Sequence, residues 1–220
     1  KLSDDDFERL LPQLSKELMQ VDYRIYHNHD ILYRDWVNLK KYYESKTYTS
    51  STVRVGMKLC EHFFPNFYDI KNSKGMSFST LWNKQNCLTK ILQWNRKSHS
   101  TPYLSELKRG IYFCCGLTKN TMYRPHLAKL ICDNSDCEYV LDPCCGWGGR
   151  LLGTVASGKH YIGFEPNLTT YNNLKKLVSY LKINNQVTLI NDGAENMDLY
   201  DFPNVGLVLT SPPYYNLEIY

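Results

Sequence analysis

The chain has 220 residues, of which 43% are apolar and 22% are charged. This composition is ordinary for a folded globular chain and excludes collagen, a coiled coil and a mainly disordered polypeptide. The longest apolar stretches, such as residues 205–209, are strand-sized and well short of the roughly 20 residues that span a bilayer, so the sequence predicts no membrane helix. The first six residues, Lys-Leu-Ser-Asp-Asp-Asp, include three acids, whereas a secretory signal would be basic and then apolar. We therefore expect no secretory signal and an intracellular location.

Positive charge is concentrated in one part of the chain. Residues 31–120 contain 15 Lys and Arg against five Asp and Glu, whereas the whole chain has a net charge of +4. A basic block beside a slightly acidic remainder is typical of a protein that meets a polyanion, and it favours a nucleic acid as the partner of residues 31–120. The alternative is a solvated charged surface.

The eight cysteines lie within apolar runs of a chain too long for a disulfide scaffold, which favours reduced thiols. Cys132 and Cys137 have a spacing that zinc permits, and Cys144 and Cys145 follow. The last two belong to a glycine-rich loop for which another role is argued below, so we predict no metal site.

Residues 1–119 are predicted to form a mainly helical region. Apolar residues from Phe7 to Leu18 recur at helical spacing, and Pro12 predicts a kink or a break near Leu11 because it lacks a backbone donor. Two further helices are predicted over residues 53–64 and 81–94.

Residues 120–220 change in character, because short apolar strands now alternate with helices. The strands are predicted at 139–143, 161–165, 187–192 and 205–210, and the helices at 123–131, from Arg150 onward and at 168–181. This alternation predicts the α/β class, with a Rossmann-like parallel sheet.

Each predicted strand ends in a polar residue. Ligands of parallel sheets bind beyond these carboxyl ends, which here carry Asp142, Glu165, Asp192 and Ser211. The loop at 142–149, Asp-Pro-Cys-Cys-Gly-Trp-Gly-Gly, allows close approach of a ligand to its backbone, and its acid suits a cationic group rather than a phosphate. Glu165 follows Asp142 at the interval typical of an acid that binds ribose hydroxyls, and Asp192 is placed to accept from an adenine amine. Together they predict S-adenosylmethionine as cofactor; the alternatives are a helix cap and solvated strand ends.

Ser-Pro-Pro-Tyr at 211–214 follows the fourth strand. The two prolines force an extended backbone that cannot continue the ladder, so carbonyl groups are free to face a cleft. The Ser211 hydroxyl and the Pro212 carbonyl are acceptors that suit both hydrogens of an amino group, and Tyr214 offers a ring for stacking. Such an arrangement would free the lone pair of an aromatic amine to attack a methyl group. A plain turn is the alternative.

These residues resemble the amino-group DNA methyltransferases. The loop at 142–149 is similar to the family's cofactor loop, although Cys144 stands where a Phe is usual. Phe164-Glu165-Pro166 and Asn191-Asp192 resemble its ribose-binding and adenine-binding strand ends, and residues 211–214 resemble its catalytic (D/N/S)-P-P-(Y/F) motif. The resemblance implies a class I methyltransferase sheet. The cofactor-binding residues it implies are Arg124, Pro125, Asp142, Pro143, Cys144, Gly146, Gly148, Glu165 and Asp192, and the catalytic ones are Ser211, Pro212, Pro213 and Tyr214.

The resemblance further implies methyl transfer to an exocyclic amine of a flipped DNA base, with N4 of cytosine favoured over N6 of adenine because Ser is first in the motif. RNA or a protein glutamine is the alternative substrate, and a non-catalytic nucleic-acid-binding subunit is the alternative role. Because the family's sheet has about three more strands, we expect a further C-terminal segment or another chain to complete it.

Overall fold

The computed structural model describes residues 2–43 and 52–212. Their helices and strands, in chain order, are α1 (Asp4–Met19), α2 (His29–Lys41), α3 (Met57–Phe63), α4 (Phe78–Trp82), α5 (Gln85–Lys97), α6 (Leu104–Cys114), α7 (Pro125–Asp133), β1 (Tyr139–Asp142), α8 (Gly149–Ala156), β2 (His160–Phe164), α9 (Leu168–Leu181), β3 (Val187–Ile190) and β4 (Val205–Val208). Short 3-10 helices span Pro65–Asp69, Asn184–Gln186 and Ala194–Leu199. No helix within the described ranges is long and apolar enough to cross a membrane.

The chain forms two compact units, and each contains segments from separate parts of the sequence. Within the described residues, the helical unit contains residues 2–24 and 67–120. The sheet unit contains residues 25–43, 52–66 and 121–212. The sequence predicts one boundary near residue 120, whereas in the structure residues 25–43 and 52–66 also belong to the sheet unit.

The reason lies in the apolar faces of α2 and α3. Leu39 and Leu59 are fully buried in one cluster with Leu151 of α8 and Leu177 of α9. Packing with the α8 and α9 side chains gives the apolar stripe of α2 a partner, and local periodicity alone does not identify that partner.

The sheet is parallel throughout, with strand order β3-β2-β1-β4. Alternate residues of the strands belong to different clusters, because neighbouring side chains on a strand point to opposite faces. Tyr161 joins the cluster that includes α8 and α9, whereas Ile162 and Phe164 join a smaller one with Leu141. The α/β class and the four strands are as the sequence predicts, and the sheet is compatible with a Rossmann-like fold.

The helical unit departs from two predictions. Helix α1 is continuous through Pro12, and Ser15 Oγ donates to the Pro12 carbonyl at 2.9 Å. The buried face of α1 packs against α5, and this packing outweighs the missing backbone bond. The single helix predicted over residues 81–94 is wrong: α4 ends at Trp82 and α5 begins at Gln85, because Lys84 has an extended backbone.

Candidate functional site

The carboxyl ends of the four strands lie side by side at one edge of the sheet. The Leu209 N–H donates to the Leu141 carbonyl at 2.9 Å, which continues the pairing of β4 with β1. The Glu165 N–H donates to the Ile190 carbonyl at 3.0 Å, which does the same for β2 and β3. The residues at or after the strand ends lie along this edge in the order Asp192, Glu165, Asp142 and Ser211.

Asp142, at the end of β1, has only internal partners within the described residues. Its Oδ2 accepts from Arg150 Nε and from the Tyr161 hydroxyl, both at 2.7 Å, and its Oδ1 accepts from the Cys144 N–H at 3.2 Å. Asp142 is 0% exposed. A buried carboxylate with a guanidinium partner is a neutralised pair, so in this structure Asp142 does not present its charge to a ligand.

Arg150 extends this arrangement to the loop backbone. Its guanidinium donates to the carbonyls of Cys144 and Cys145 and lies 5.1 Å from the centre of the Tyr123 ring. One side chain in the first turns of α8 therefore connects the end of β1, the glycine-rich loop and the segment before α7.

The middle of the loop is held against β2. The Cys145 N–H donates to the Phe164 carbonyl at 2.9 Å, and the Cys145 side chain lies over Gly163, where an added Cβ would overlap its Sγ. One residue later, the Gly146 N–H donates to Glu165 Oε2 at 3.0 Å. The absence of a side chain at Gly163 is what lets the loop approach the strand this closely.

Glu165 is a buried carboxylate with two backbone donors. The Gly146 N–H donates to its Oε2 and the Asn167 N–H donates to its Oε1, each at 3.0 Å. Glu165 is 8% exposed. Burial raises the pKa of Glu165 to about 7, although the two backbone hydrogen bonds act in the opposite direction. The carboxylate thus exchanges protons near neutral pH at the edge where the ribose of a nucleoside is expected.

Asp192, after β3, is held by its own segment. It accepts from the Gly193 N–H and the Asn196 side chain at 2.8 Å each, and from the Tyr200 hydroxyl at 2.9 Å. The Asn196 bond, followed by those of Gly193 and Tyr200, lowers the pKa of Asp192. Its neighbour Asn191 donates to the Glu165 carbonyl at 2.8 Å, which links the third strand end to the second.

The end of β4 lies beside the glycine-rich loop. Burial raises the pKa of the Cys144 thiol, and the hydroxyl of Thr210, the residue before Ser211, acts in the opposite direction. Ser211 and Pro212 are exposed. Pro213 and Tyr214, the other two residues of the predicted catalytic motif, lie outside the described residues.

Arg124 and Pro125 stand at the start of α7, as cap and first helical residue. Pro125 is buried, and its carbonyl lies where a Cβ on Gly153 of α8 would be.

The two loop glycines differ in the space around them. Gly148 has φ +73° and caps α8, whereas Gly146 has φ +57° and an added Cβ there would meet nothing nearer than 3.9 Å. Pro143 connects Asp142 to the loop. Of the two glycines, Gly146 is the one that leaves room for a ligand against the backbone.

Sequence reasoning missed Arg150 and Tyr161, and it did not predict the bond from Asn191 to the Glu165 carbonyl. Arg150 carries a signal in hindsight: a cation in the first turn of a helix opposes the helix dipole, so it calls for a compensating acid nearby. Tyr161 and Asn191 carry no such signal, because their partners are set by the pairing of the strands.

No group of three or more His, Cys, Asp or Glu side chains within residues 2–43 and 52–212 is arranged to hold a metal ion. In comparisons with known proteins, no family model, curated protein or solved structure matches the chain significantly.

Proposed function

We propose that the chain is an S-adenosylmethionine-dependent methyltransferase that acts on an exocyclic amino group of a DNA base, within a class I methyltransferase fold. The observation that carries the proposal is the topological switch point between β1 and β4. The chain proceeds outward from β1 to β3 and returns to the other side of β1, and open sheets bind their ligands in the crevice at such a point. The glycine-rich loop follows β1 and Ser211 follows β4, so they stand on the two sides of this point.

The residues of this edge fit a nucleoside cofactor in part. The open space over Gly146 would admit the ligand to the loop backbone, and Glu165 would accept the ribose hydroxyls. Asp192 would receive the adenine amine in place of one of its present donors. Asp142 would act indirectly, by holding Arg150 and thereby the loop, with Pro143, Cys144 and Gly148 forming the loop's frame. Arg124 and Pro125 would border the methionine end.

S-adenosylmethionine supplies an electrophilic methyl group. Ser211 and the Pro212 carbonyl would accept the two hydrogens of the target amine and draw its nitrogen toward tetrahedral geometry, which frees the lone pair. Pro213 would keep the backbone extended, and Tyr214 would stack on the base. A base inside a duplex cannot reach such a cleft, so flipping is part of the proposal.

Ser at the first position of the motif favours cytosine N4 over adenine N6. The basic region at 31–120 would supply phosphate contacts. RNA and protein glutamine remain the alternative substrates for the same chemistry.

Calorimetric titration of the full chain with S-adenosylmethionine tests the cofactor. We expect binding to the wild type, at least about tenfold weaker binding to Glu165→Ala, and unchanged binding to Glu138→Ala, an exposed acid at the opposite end of β1. Transfer of a tritiated methyl group to DNA, RNA and protein pools then identifies the substrate class. Absence of cofactor binding by the wild type would contradict the proposal.

A second role, a nucleic-acid-binding subunit without catalysis, is favoured by one observation: the Asp142 carboxylate is fully buried and paired with Arg150. DNA binding without cofactor binding would support this role over the first.

A further inference from the structure

Helices α5 and α6 together present a basic and aromatic surface, which we call the α5–α6 face. It contains Lys90, Trp94 and Lys97 of α5 and Arg109 and Phe113 of α6. The spacings of four and three residues on α5, and of four on α6, place these side chains on one side of each helix.

The aromatic pair of this face is held by close packing of the two helices. Ile91 of α5 lies against Gly110 of α6, where an added Cβ would overlap its side chain. The rings of Trp94 and Phe113 stack with centres 5.7 Å apart and an interplanar angle of 22°. Phe113 is nevertheless 67% exposed. A ring that is supported on one side and open elsewhere is suited to stack on another flat group.

Positive charge surrounds the pair. The Arg109 guanidinium carbon lies 5.8 Å from the centre of the Phe113 ring, and Lys90 and Lys97 are exposed. Neither lysine forms an ion pair with any residue in the described ranges. Glu106, which pairs with Arg109, is the one acid in the sequences of α5 and α6.

The acids that contact α5 lie on another side of it, facing α1. There Arg96 pairs with Asp4 at 2.7 Å, and Gln93 donates to Glu8 at 3.5 Å. The basic residues of the α5–α6 face are thus separated from the acidic start of α1, and the face is complementary to a polyanion.

We propose that the α5–α6 face binds single-stranded or locally unpaired DNA, with a base stacked on Phe113 and phosphates held by Lys90, Lys97 and Arg109. Unpaired bases are specified because a base pair within a duplex hides its faces from an aromatic side chain. The choice of DNA rests on the function proposed above. Within the basic region at 31–120, the five side chains of the α5–α6 face are the ones that would form the DNA-binding surface.

Binding of the full chain to a fluorescent single-stranded oligonucleotide, measured by anisotropy without cofactor, tests the face. We expect Phe113→Ala to weaken binding by about tenfold or more, since loss of one stacked base has an effect of this order. The double variant Lys90→Gln/Lys97→Gln should reduce the slope of log affinity against log salt by about 1.4. The matched controls are Tyr103→Ala, an exposed aromatic of the same unit, and Lys71→Gln/Lys74→Gln, two exposed lysines of that unit; both should bind like the wild type.

The results separate this inference from the proposed function. Equal losses in the face variants and their controls, or a Phe113→Ala effect as large on duplex as on single strands, would overturn the face. If the face variants bind the oligonucleotide as tightly as the wild type and the chain still transfers methyl groups to DNA, the proposed face is wrong and the proposed function is supported. If oligonucleotide binding is weakened by the face variants but the chain does not bind S-adenosylmethionine, the face is supported and the methyltransferase function is contradicted. RNA bound at least tenfold more tightly than DNA would overturn the choice of DNA.

Discussion

Arg150 Nε lies 2.7 Å from Asp142 Oδ2, and both side chains are almost wholly withdrawn from solvent. Breaking a buried pair by removing one partner leaves an uncompensated charge, with a loss of about 3–5 kcal/mol. We therefore expect Arg150→Met to lower the free energy of unfolding by about this amount. Denaturant titration measures the loss.

Arg109→Met is the matched control for Arg150→Met, since Arg109 and Glu106 form an ion pair of similar length with the arginine 57% exposed. Its loss should stay within about 1 kcal/mol, as is usual for exposed pairs. Arg150→Lys should also destabilise, because an ammonium cannot reach Asp142 and the loop carbonyls together. Equal losses for Arg150→Met and Arg109→Met would contradict a stabilising role for the buried pair.

Glu165 gives the sheet unit a pH-dependent stability. Because its folded pKa is raised from about 4.5 to about 7, the protonated form is favoured in the folded state. The resulting stabilisation is fully present below about pH 4.5 and is lost as the pH rises through about 7. Its size is about 3 kcal/mol.

Glu165→Gln removes this titration and keeps an acceptor oxygen for one of the two donors, Gly146 or Asn167, which bond different oxygens of the carboxylate. The difference in unfolding free energy between the wild type and Glu165→Gln should therefore favour the wild type progressively more as the pH falls from about 7 to 4.5. Unfolding titrations at several pH values measure it. A difference that does not change with pH would contradict the raised pKa.

The sequence predicted the sheet better than the surroundings of the sheet. Each strand is a short apolar run with a polar residue at its end or soon after it, and Asn167 caps α9 through its side chain. These features are local, so periodicity and cap preferences report them. The order of the strands then fixes which polar ends are neighbours.

The partners of buried side chains could not be predicted in the same way. Leu39 and Leu59 belong with α8 and α9, although these helices begin 90 or more positions later in the chain. Asp142 was expected to face a cationic ligand, and its described contacts are instead Arg150, Tyr161 and the Cys144 backbone. Such contacts depend on tertiary packing, which leaves no periodic pattern in one sequence.

Gly163 and Cys145 are predicted to be coupled in stability. An alanine at 163 would overlap Cys145 Sγ and the Tyr161 ring, so Gly163→Ala should destabilise by about 2 kcal/mol or more. Cys145→Ala shortens one of the two obstructing side chains. The double variant should therefore be more stable than the sum of the two single losses predicts, by at least about 0.5 kcal/mol. Strict additivity in a double-mutant cycle would mean that Cys145 does not restrict residue 163.

Gly146 is predicted to matter for ligand binding more than for folding. Its φ of +57° resembles the +67° of Gly116, and an added Cβ meets nothing closer than 3.9 Å at Gly146 and nothing within 4 Å at Gly116. Alanine at either position should therefore lower the unfolding free energy by a similar amount, about 1 kcal/mol, from backbone strain alone.

The two alanine variants should differ in binding S-adenosylmethionine. The methyl group of Gly146→Ala would occupy the open space beside the loop backbone, whereas Gly116 lies in the helical unit. We expect at least about tenfold weaker binding for Gly146→Ala and wild-type binding for Gly116→Ala, measured by calorimetry. Equal affinity in the two variants, with the wild type binding the cofactor, would place the ligand away from Gly146, because a ligand that approaches the loop backbone there cannot avoid the added methyl group.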